Sequence, residues 1–360
     1  MRHIHRYRSL AWLVLFVFMF TLVPVLPGQA ADEIKITDIK NAYGFRDVTR
    51  GTTVIIEGTG FGDTGHVIFR VGEQSLSVKA EDILAWSPNE VIVAAPNLPT
   101  GLTPPQEVEA VIVKTADRSA SYTAKQLRYI NNPEIDNVYP IKKSRISGFK
   151  SDGSPIVESD SKQVAFEGKN LEKAMRITVS TAGGNSVLYS ILERDKEEPN
   201  YAGVIEWDKD KDGVYIGGPY IRWNNKIMDG NDLTIKVENT ARGESEEYTK
   251  VQGDQQLSKI GIPEASSFNP SPAALVRGMK LEIIGSNFKE LNIEHNEVFI
   301  AGGKAEVQSG SAHKLVVTVP GAADLNQHTL RIKVKRPEPD GRVEAEAVYT
   351  GAINIIPTPG

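Results

Sequence analysis

The stretch GTTVIIEGTGF at residues 51–61 recurs near the other end of the chain as GMKLEIIGSNF at residues 278–288. In both copies a glycine opens a short apolar run, a second glycine closes it, and a phenylalanine follows three residues later. A divergent copy, VAFEGKNL, lies between them at residues 164–171. Such repetition indicates one supersecondary unit that is used three times along the chain.

Each copy predicts a β-strand that ends in a turn. Val54 and Ile56 stand two residues apart, which points both side chains to one face of an extended strand. Leu281 and Ile283 repeat this spacing in the second copy. The closing glycine of each copy is expected at a chain reversal with positive φ, which glycine adopts without steric cost. We therefore assign these residues to the core and its turns.

The composition limits the classes of protein that the chain can represent. Its 360 residues predict two or three domains of ordinary size. It has no cysteine, which excludes disulfides, a lipid-anchored cysteine, thiol catalysis and cysteine-bound zinc. It carries 41 Lys and Arg against 46 Asp and Glu, a net charge of -5, which does not support a nucleic-acid partner. Stability must therefore come from hydrophobic cores.

Residues 1–30 have the layout of a secretory signal peptide. A basic head, MRHIHRYR, precedes an apolar run that ends near residue 26, and the GQA that follows places small residues before a cleavage site at Ala31. An uncleaved anchor helix is the alternative, since the run is just long enough to span a bilayer. Pro24 and Pro27 interrupt its end, so we favour cleavage. This predicts a secreted or cell-surface protein without membrane insertion after cleavage.

Turn signals between short apolar runs divide the remaining chain into three segments. The first segment (31–131) and the third segment (261–360, including a short tail) follow the same plan. Short strands at this spacing over about 100 residues are typical of an immunoglobulin-like β-sandwich. The middle segment (132–260) departs from the plan and carries an insertion around residues 142–155, rich in Lys, Ser and Gly. We predict that this insertion is an exposed loop.

Three features together carry a family resemblance. A lead-in of the form Ile-x-x-Val-x-Pro occurs at residues 135–140, the repeated strands end in Gly-x-Gly/Asn-Phe, and a valine-rich run closes on Pro96 or Pro320. This arrangement resembles the IPT/TIG family, immunoglobulin-like domains shared by plexins, transcription factors and many bacterial surface proteins. The resemblance implies an all-β chain of three tandem sandwiches, the middle one divergent and expanded. It also implies adhesion, spacer or recognition roles.

No catalytic motif accompanies this pattern. The histidines form no His-Glu-x-x-His unit, and the chain has neither a Gly-x-Ser-x-Gly nucleophile elbow nor a phosphate-binding loop. We therefore predict that the protein is not an enzyme and needs no cofactor.

The acidic stretch DKDKDG at residues 208–213 is a candidate metal site. Asp208, Asp210 and Asp212 alternate before a glycine, as they do at the start of a calcium-binding loop. Position twelve of such a loop, where a bidentate carboxylate is usual, is Pro219. We therefore favour a plain polar hairpin turn and keep a weak Ca²⁺ site as the alternative.

Aromatic side chains between residues 201 and 223 indicate a binding surface, because a ring can present a flat face to a partner. Trp207 and Trp223 alternate in step with neighbouring isoleucines, so we predict that both face the core. Tyr215 and Tyr220 are out of step with theirs, so we predict that both face outward and are candidate ligand-binding residues. Ordinary surface residues remain the alternative, since single exposed aromatics are common.

The sequence thus predicts a secreted, bacterial-type protein that acts by adhesion, envelope scaffolding or recognition of a surface polymer. The middle segment is expected to supply specificity. The alternative is an accessory module of a polysaccharide-processing system that binds carbohydrate through Tyr215 and Tyr220. The expected partner is a cell-envelope polymer, a glycan or another surface protein.

Overall fold

The computed structural model describes residues 33–357, except 123–126, 210–212, 214, 242–246, 252–255, 291–292 and 338. The predicted signal peptide lies outside the described residues. Strands dominate the described part, in which α-helix is confined to one turn, α1, at Asn225–Met228. None of the helices in these ranges is long and apolar enough to cross a membrane. The prediction of an all-β chain is confirmed.

The first segment folds into a two-layered sandwich. Its strands are β1 Lys35–Asn41, β2 Asp47–Val48, β3 Thr53–Thr59, β4 His66–Val71, β5 Gln74–Ser77, β6 Ile83–Trp86, β7 Glu90–Ala94, β8 Gln106–Glu107, β9 Ala110–Lys114, β10 Ser119–Tyr122 and β11 Arg128–Tyr129, with a 3₁₀ turn at Ala80–Asp82. One layer has the strand order β1-β3-β7-β6 and the other β10-β9-β4-β5. Val54, Ile56 and Phe61 of the repeated stretch are buried in its core, as predicted.

The middle segment is built mainly of strands that belong to two sheets. They are β12 Glu134–Phe149, β13 Pro155–Lys169, β14 Ala174–Thr181, β15 Ser186–Ser190, β16 Tyr201–Gly203, β17 Glu206–Lys209, β18 Tyr215–Arg222, β19 Leu233–Asn239 and β20 Glu247–Val251, with 3₁₀ turns at Leu171–Lys173, Glu193–Glu197 and Leu257–Lys259. Strands β16-β15-β14-β19-β20 form one sheet.

The third segment repeats the plan of the first. Its strands are β21 Glu264–Asn269, β22 Leu275–Val276, β23 Lys280–Ser286, β24 Asn296–Ile300, β25 Gly303–Ser311, β26 Lys314–Thr318, β27 Thr329–Lys335, β28 Val343–Gly351 and β29 Ile355–Ile356, with 3₁₀ turns at Pro272–Ala274 and Ile293–His295. Leu281, Ile283 and Phe288 are buried in its core, as the repeat predicted.

The closing glycines of the repeat are needed for a close approach between strands. Gly58, Gly168 and Gly285 are not among the residues with positive φ, so the predicted reason for glycine is wrong. A Cβ atom at any of the three positions would overlap a backbone carbonyl oxygen of the neighbouring strand. In all three copies that neighbouring strand has a β-bulge next to the residue that pairs with the glycine. The repeated unit is therefore a bulged strand pair in which only glycine fits at the closing position.

The insertion in the middle segment extends two strands, so the prediction of an exposed loop is wrong. Strands β12 and β13 form one long antiparallel hairpin, and its turn is confined to residues 150–154. Residues 141–146 of β12 also pair in parallel with residues 346–351 of β28. The backbone hydrogen-bonding groups of the insertion pair with those at the otherwise open edge of β28. Sequence spacing alone does not reveal such a partner.

The docked β12–β13 hairpin joins the middle and third segments into one sheet. Its strand order is β17-β18-β13-β12-β28-β27-β24-β25-β26-β23-β21. At the hairpin tip the Phe149 ring meets Phe268 edge-on, with ring centroids 5.7 Å apart. Phe268 meets Tyr349 in the same way at 6.0 Å. Backbone pairing and aromatic packing therefore fix the two segments relative to each other.

Each segment of the described chain has a large hydrophobic core. A smaller apolar cluster lies where the middle and third segments meet, and it contains Tyr139, Ile141, Ala165, Tyr220, Val343 and Val348. The separate cores agree with three sandwich-like units. The boundaries 31–131, 132–260 and 261–360 stay predictions.

Candidate functional site

A groove of about 590 Å³ lies along the junction of the middle and third segments. Its volume falls within the usual range of ligand sites, which are frequent at domain junctions. Strands β12, β13, β17 and β18 line one side, and β27 and β28 line the other. The lining residues are Tyr139, Phe166, Glu167, Gly168, Leu171, Glu172, Trp207, Tyr215, Gly217, Gly218, Tyr220, Arg331, Lys333 and Glu346.

The β17–β18 hairpin places two aromatic rings in the groove wall. Trp207 and Tyr215 meet at 61°, with ring centroids 5.8 Å apart. Tyr215 keeps 44% of its surface exposed, which agrees with its predicted outward orientation. Trp207 packs half-buried against the middle core, and so does Trp223, as their alternation predicted. Tyr215 therefore offers an aromatic surface that a packed neighbour holds in place.

Tyr220 does not face outward, in contrast to the prediction from alternation. Only 2% of its surface is exposed, because the β12–β13 hairpin and β28 cover this face of β18. The Lys143 ammonium lies 3.5 Å from the centre of its ring, and its hydroxyl donates to Asp208 Oδ2 at 2.9 Å. Burial raises the pKa of Tyr220, and the charge of Asp208 raises it further. Tyr220 forms part of the groove floor, and its role in ligand binding stays a prediction.

Asp208 lies at the centre of an ionic network between the segments. Its Oδ1 accepts from Lys143 Nζ at 2.8 Å, and its Oδ2 accepts from Arg331 Nη2 at 2.6 Å. Burial raises the pKa of this carboxyl, but the hydrogen bonds and charges of Lys143 and Arg331 outweigh burial and hold the pKa below its usual value. Arg331 belongs to β27, so this carboxylate links the middle segment to the third.

The candidate calcium loop at residues 208–213, the alternative to a plain hairpin turn, is described only in part. Asp208 already accepts from two cationic side chains, whereas Asp210 and Asp212 lie outside the described residues. Within the described ranges no three His, Cys, Asp or Glu side chains are grouped so that they could hold a metal ion. The expected hairpin is present as the β17–β18 pair. The weak Ca²⁺ site stays a prediction.

A second carboxylate, Glu346, is buried in the groove with 1% of its surface exposed. Its Oε1 accepts from Arg331 Nη1 at 3.1 Å. Burial lowers the pKa of Arg331, but the charge of Glu346 and the other partners outweigh burial and raise it well above its usual value. One guanidinium group thus compensates two carboxylates, Glu346 and Asp208. The floor of the groove depends on this arginine, because a buried charge without a partner is strongly destabilising.

Lys333 lies beside this network in a looser arrangement. Its Nζ is 3.6 Å from Glu167 Oε1 and 3.9 Å from Glu346 Oε2. Both distances are longer than a hydrogen bond. The Tyr139 hydroxyl lies between the same two carboxylates, 3.3 Å from Glu167 Oε1 and 3.2 Å from Glu346 Oε2. The groove therefore combines an aromatic wall with a floor of paired charges and one accessible ammonium group.

Sequence reasoning missed most of these groove residues. Arg331 and Lys333 alternate with buried residues along β27, a pattern that is equally typical of a strand with one solvated face. Lys333 stands directly opposite Glu346 in the strand register. This pairing could indicate the site only if the strand register were already known. Glu167 precedes the closing glycine of the middle copy, where the sequence shows only a strand end.

The fold and the groove define a class of protein, an all-β chain of immunoglobulin-like sandwiches with a polar and aromatic groove at a segment junction. Residues 44–129 and 263–350 match the IPT/TIG domain. These two parts of the chain belong to the IPT/TIG domain family, whose members are non-catalytic binding modules. The predicted resemblance is confirmed there, and the match leaves out the middle segment. No curated protein matches the chain significantly.

Several solved structures are similar to the chain at low identity. An auxiliary nutrient binding protein from Bacteroides ovatus is 18% identical, with a TM-score of 0.24, over 27% of this chain and 21% of that protein. The extracellular region of plexin A4 is 12% identical, with a TM-score of 0.29, over 94% and 26%. SGBP-B of the Bacteroides ovatus mixed-linkage glucan utilization locus, in complex with a mixed-linkage heptasaccharide, is 12% identical, with a TM-score of 0.20, over 93% and 69%. The chain spans 21% of the length of the first of these.

Proposed function

We propose that the chain is an exported, non-enzymatic recognition protein that binds a surface glycan in the groove between its middle and third segments. The observation that carries this proposal is Tyr215, whose exposed ring stands beside Trp207 in a groove of about 590 Å³. A sugar ring has apolar faces and a rim of hydroxyls. An aromatic wall above hydrogen-bonding side chains matches both properties.

Two further features support export and a role without catalysis. Residues 1–30 have the layout of a signal peptide, which supports export. Two parts of the chain belong to a family of non-catalytic binding modules. We therefore place the protein outside the cell or on its surface, where envelope polymers and glycans are its available partners.

Adhesion or scaffolding is the second candidate function. The continuous sheet through the middle and third segments favours it, because the docked β12–β13 hairpin fixes their relative orientation. A spacer that presents a partner at a set distance needs this rigidity. In this role the partner is another surface protein or an envelope polymer. An accessory module of a polysaccharide-processing system would bind carbohydrate in the same groove, so this role stays part of the first proposal.

Replacing Tyr215 with alanine is expected to weaken glycan binding about tenfold, which corresponds to ~1.4 kcal/mol. Loss of an aromatic contact with the sugar is of this size. The chain without residues 1–30 is first screened on a glycan array, and the best ligand is then titrated by calorimetry. Tyr201→Ala is the matched control, because Tyr201 lies on β16 and does not line the groove.

Equal affinities of Tyr215→Ala and the unchanged protein would contradict the proposal that this groove is the glycan site. An array that stays dark, together with binding to surface proteins, would favour the adhesion role.

A further inference from the structure

We infer that the groove is specific for uncharged polysaccharides, and that Lys333 and Glu167 together bind two neighbouring hydroxyl groups of the sugar. This inference rests on the proposed function, since it names the class of glycan that the same groove takes. Three observations support this inference. The charges of the groove floor are paired, the Lys333 ammonium group has unused hydrogen-bond donors, and an exposed carboxylate lies at the rim.

The buried charges of the floor already compensate one another. Asp208 is held by Lys143 and Arg331, and Glu346 is held by Arg331. A charged ligand group would have to displace one of these partners and leave its counter-charge buried. Such an exchange is costly, because an uncompensated buried ion is destabilising by several kcal/mol, roughly 3–5. The floor therefore favours a ligand without charge.

Lys333 has its charge compensated while its hydrogen-bond donors remain unused. Its Nζ lies 3.6 Å and 3.9 Å from two carboxylate oxygens. It makes no hydrogen bond within the described part of the chain, although an ammonium group can donate three. Its side chain keeps 21% of its surface exposed in a groove-lining position, so a ligand oxygen can reach it.

Glu167 supplies the complementary acceptor. Its side chain keeps 39% of its surface exposed. Its Oε2 accepts from Asn137 Nδ2 at 3.2 Å, and lone pairs remain on both oxygens. Lys333 and Glu167 thus present donors and an acceptor side by side. A hydroxyl group both donates and accepts, so two adjacent hydroxyls of one sugar satisfy this pair without any change of charge.

A polymer of uronic acids fits this pair poorly. Its carboxylate would accept from Lys333 but would lie against Glu167, a like charge. The exposed Glu172 lines the same groove and has no partner within the described residues, so it adds negative charge at the rim. The net charge of -5 on the whole chain acts in the same direction. The groove is therefore expected to reject polyanions.

The first test compares neutral gluco-oligosaccharides with oligogalacturonates of equal length. Both are titrated into the chain without residues 1–30, at low and at high ionic strength. We expect the neutral ligands to bind with the same affinity at both salt concentrations, because they carry no charge to be screened. We expect no measurable binding of oligogalacturonates.

Two results would overturn the inference in different ways. Salt-sensitive binding of oligogalacturonates without binding of neutral ligands would contradict the specificity and leave the groove as a glycan site. Failure of every array glycan, neutral or charged, to bind would contradict the proposed function itself.

The second test uses Lys333→Met, with Lys335→Met as the matched control. Lys335 lies two residues further along β27 and pairs with Glu297 at 3.0 Å, outside the groove. Lys333→Met is expected to weaken neutral-ligand binding about tenfold, the usual effect of losing a hydrogen bond from a charged group. Lys335→Met should bind like the unchanged protein. Lys333→Arg, which keeps the donors, should recover most of the affinity.

Equal affinities for Lys333→Met and Lys335→Met would overturn the assignment of Lys333. A thermal unfolding curve of each variant separates lost binding from lost folding. If Lys333→Met does not fold, Lys333→Gln is titrated in its place. Binding by that variant as tight as that of the unchanged protein would overturn the assignment equally.

Discussion

Replacing Arg331 with methionine is expected to lower the free energy of unfolding by about 3–5 kcal/mol, because it removes the shared partner of the buried Glu346 and the partly buried Asp208. Asp208 would keep Lys143. Glu346, which is 1% exposed, would keep the hydrogen bond from the Tyr139 hydroxyl at 3.2 Å, and its remaining ion pair would be the one with Lys333 at 3.9 Å. The Arg331 side chain has only 20% of its surface exposed, so solvent screens this interaction weakly. Equilibrium unfolding in urea measures the change.

Arg145→Met is the matched control for this prediction. Arg145 pairs with Glu158 at 3.1 Å on the β12–β13 hairpin, but its side chain is 71% exposed. Its loss should cost less than about 1 kcal/mol, as is usual for surface ion pairs. Neutralising both carboxylates in the triple variant Arg331→Met, Asp208→Asn, Glu346→Gln should recover part of the stability. Equal losses in the two single variants would contradict the account of the groove floor.

The pH dependence of stability provides a second measure of the same arginine. The pKa of Asp208 is lowered in the folded chain because Lys143 and Arg331 outweigh burial. Its contribution is therefore present above the unfolded pKa of about 3.9 and is lost as the pH falls through the lower folded value. Without Arg331 that pKa should rise towards its unfolded value, so the loss of stability in acid is expected to be smaller for Arg331→Met than for the unchanged protein.

Replacing Phe268 with alanine is expected to cost about 3–5 kcal/mol, the usual effect of removing a buried aromatic ring. Phe268 is 2% exposed, and its ring contacts both Tyr349 in the third core and Phe149 at the tip of the β12–β13 hairpin. Part of its contribution therefore belongs to the core and part to the docking of the hairpin. Unfolding in urea of the single variant gives the sum of both.

A double-mutant cycle with Phe149→Ala isolates the docking contribution. The coupling between Phe149 and Phe268 is expected to be about 0.5–1.5 kcal/mol, typical of an edge-to-face aromatic pair. A coupling near zero would mean that the hairpin tip does not rest on the third segment in solution. In that case residues 142–155 would behave as the exposed loop that their composition suggests.

The sequence contains enough information for the units of the fold but not for their assembly. Val54, Ile56 and Phe61 are buried because periodicity and glycine spacing report on strands and turns that form locally. The docking of β12 on β28 depends on an open strand edge roughly 200 residues away, which no local pattern encodes. Because of this distance, the composition of the insertion alone predicts a loop.

Some residues of the candidate site can likewise be predicted from local sequence patterns, whereas others depend on contacts with distant parts of the chain. Alternation predicts the outward orientation of Tyr215, which keeps 44% of its surface exposed. It failed at Tyr220, because the β12–β13 hairpin and β28 bury the second face of the strand there. The spacing of Asp208 is that of a calcium ligand, but its Oδ2 accepts from Arg331 of the third segment. From sequence alone, charged residues that line the groove look the same as charged residues on a solvated strand face. Only the strand register distinguishes them.

Hydrogen exchange of the chain without residues 1–30, with and without a neutral oligosaccharide, shows whether a glycan binds between the middle and third segments. We expect slower exchange on ligand binding in residues 215–222 of β18 and residues 329–335 of β27, which line opposite sides of the groove. Residues 35–94 of the first segment should remain unchanged. Protection confined to that first segment, or protection on only one side of the groove, would contradict a glycan site between the middle and third segments.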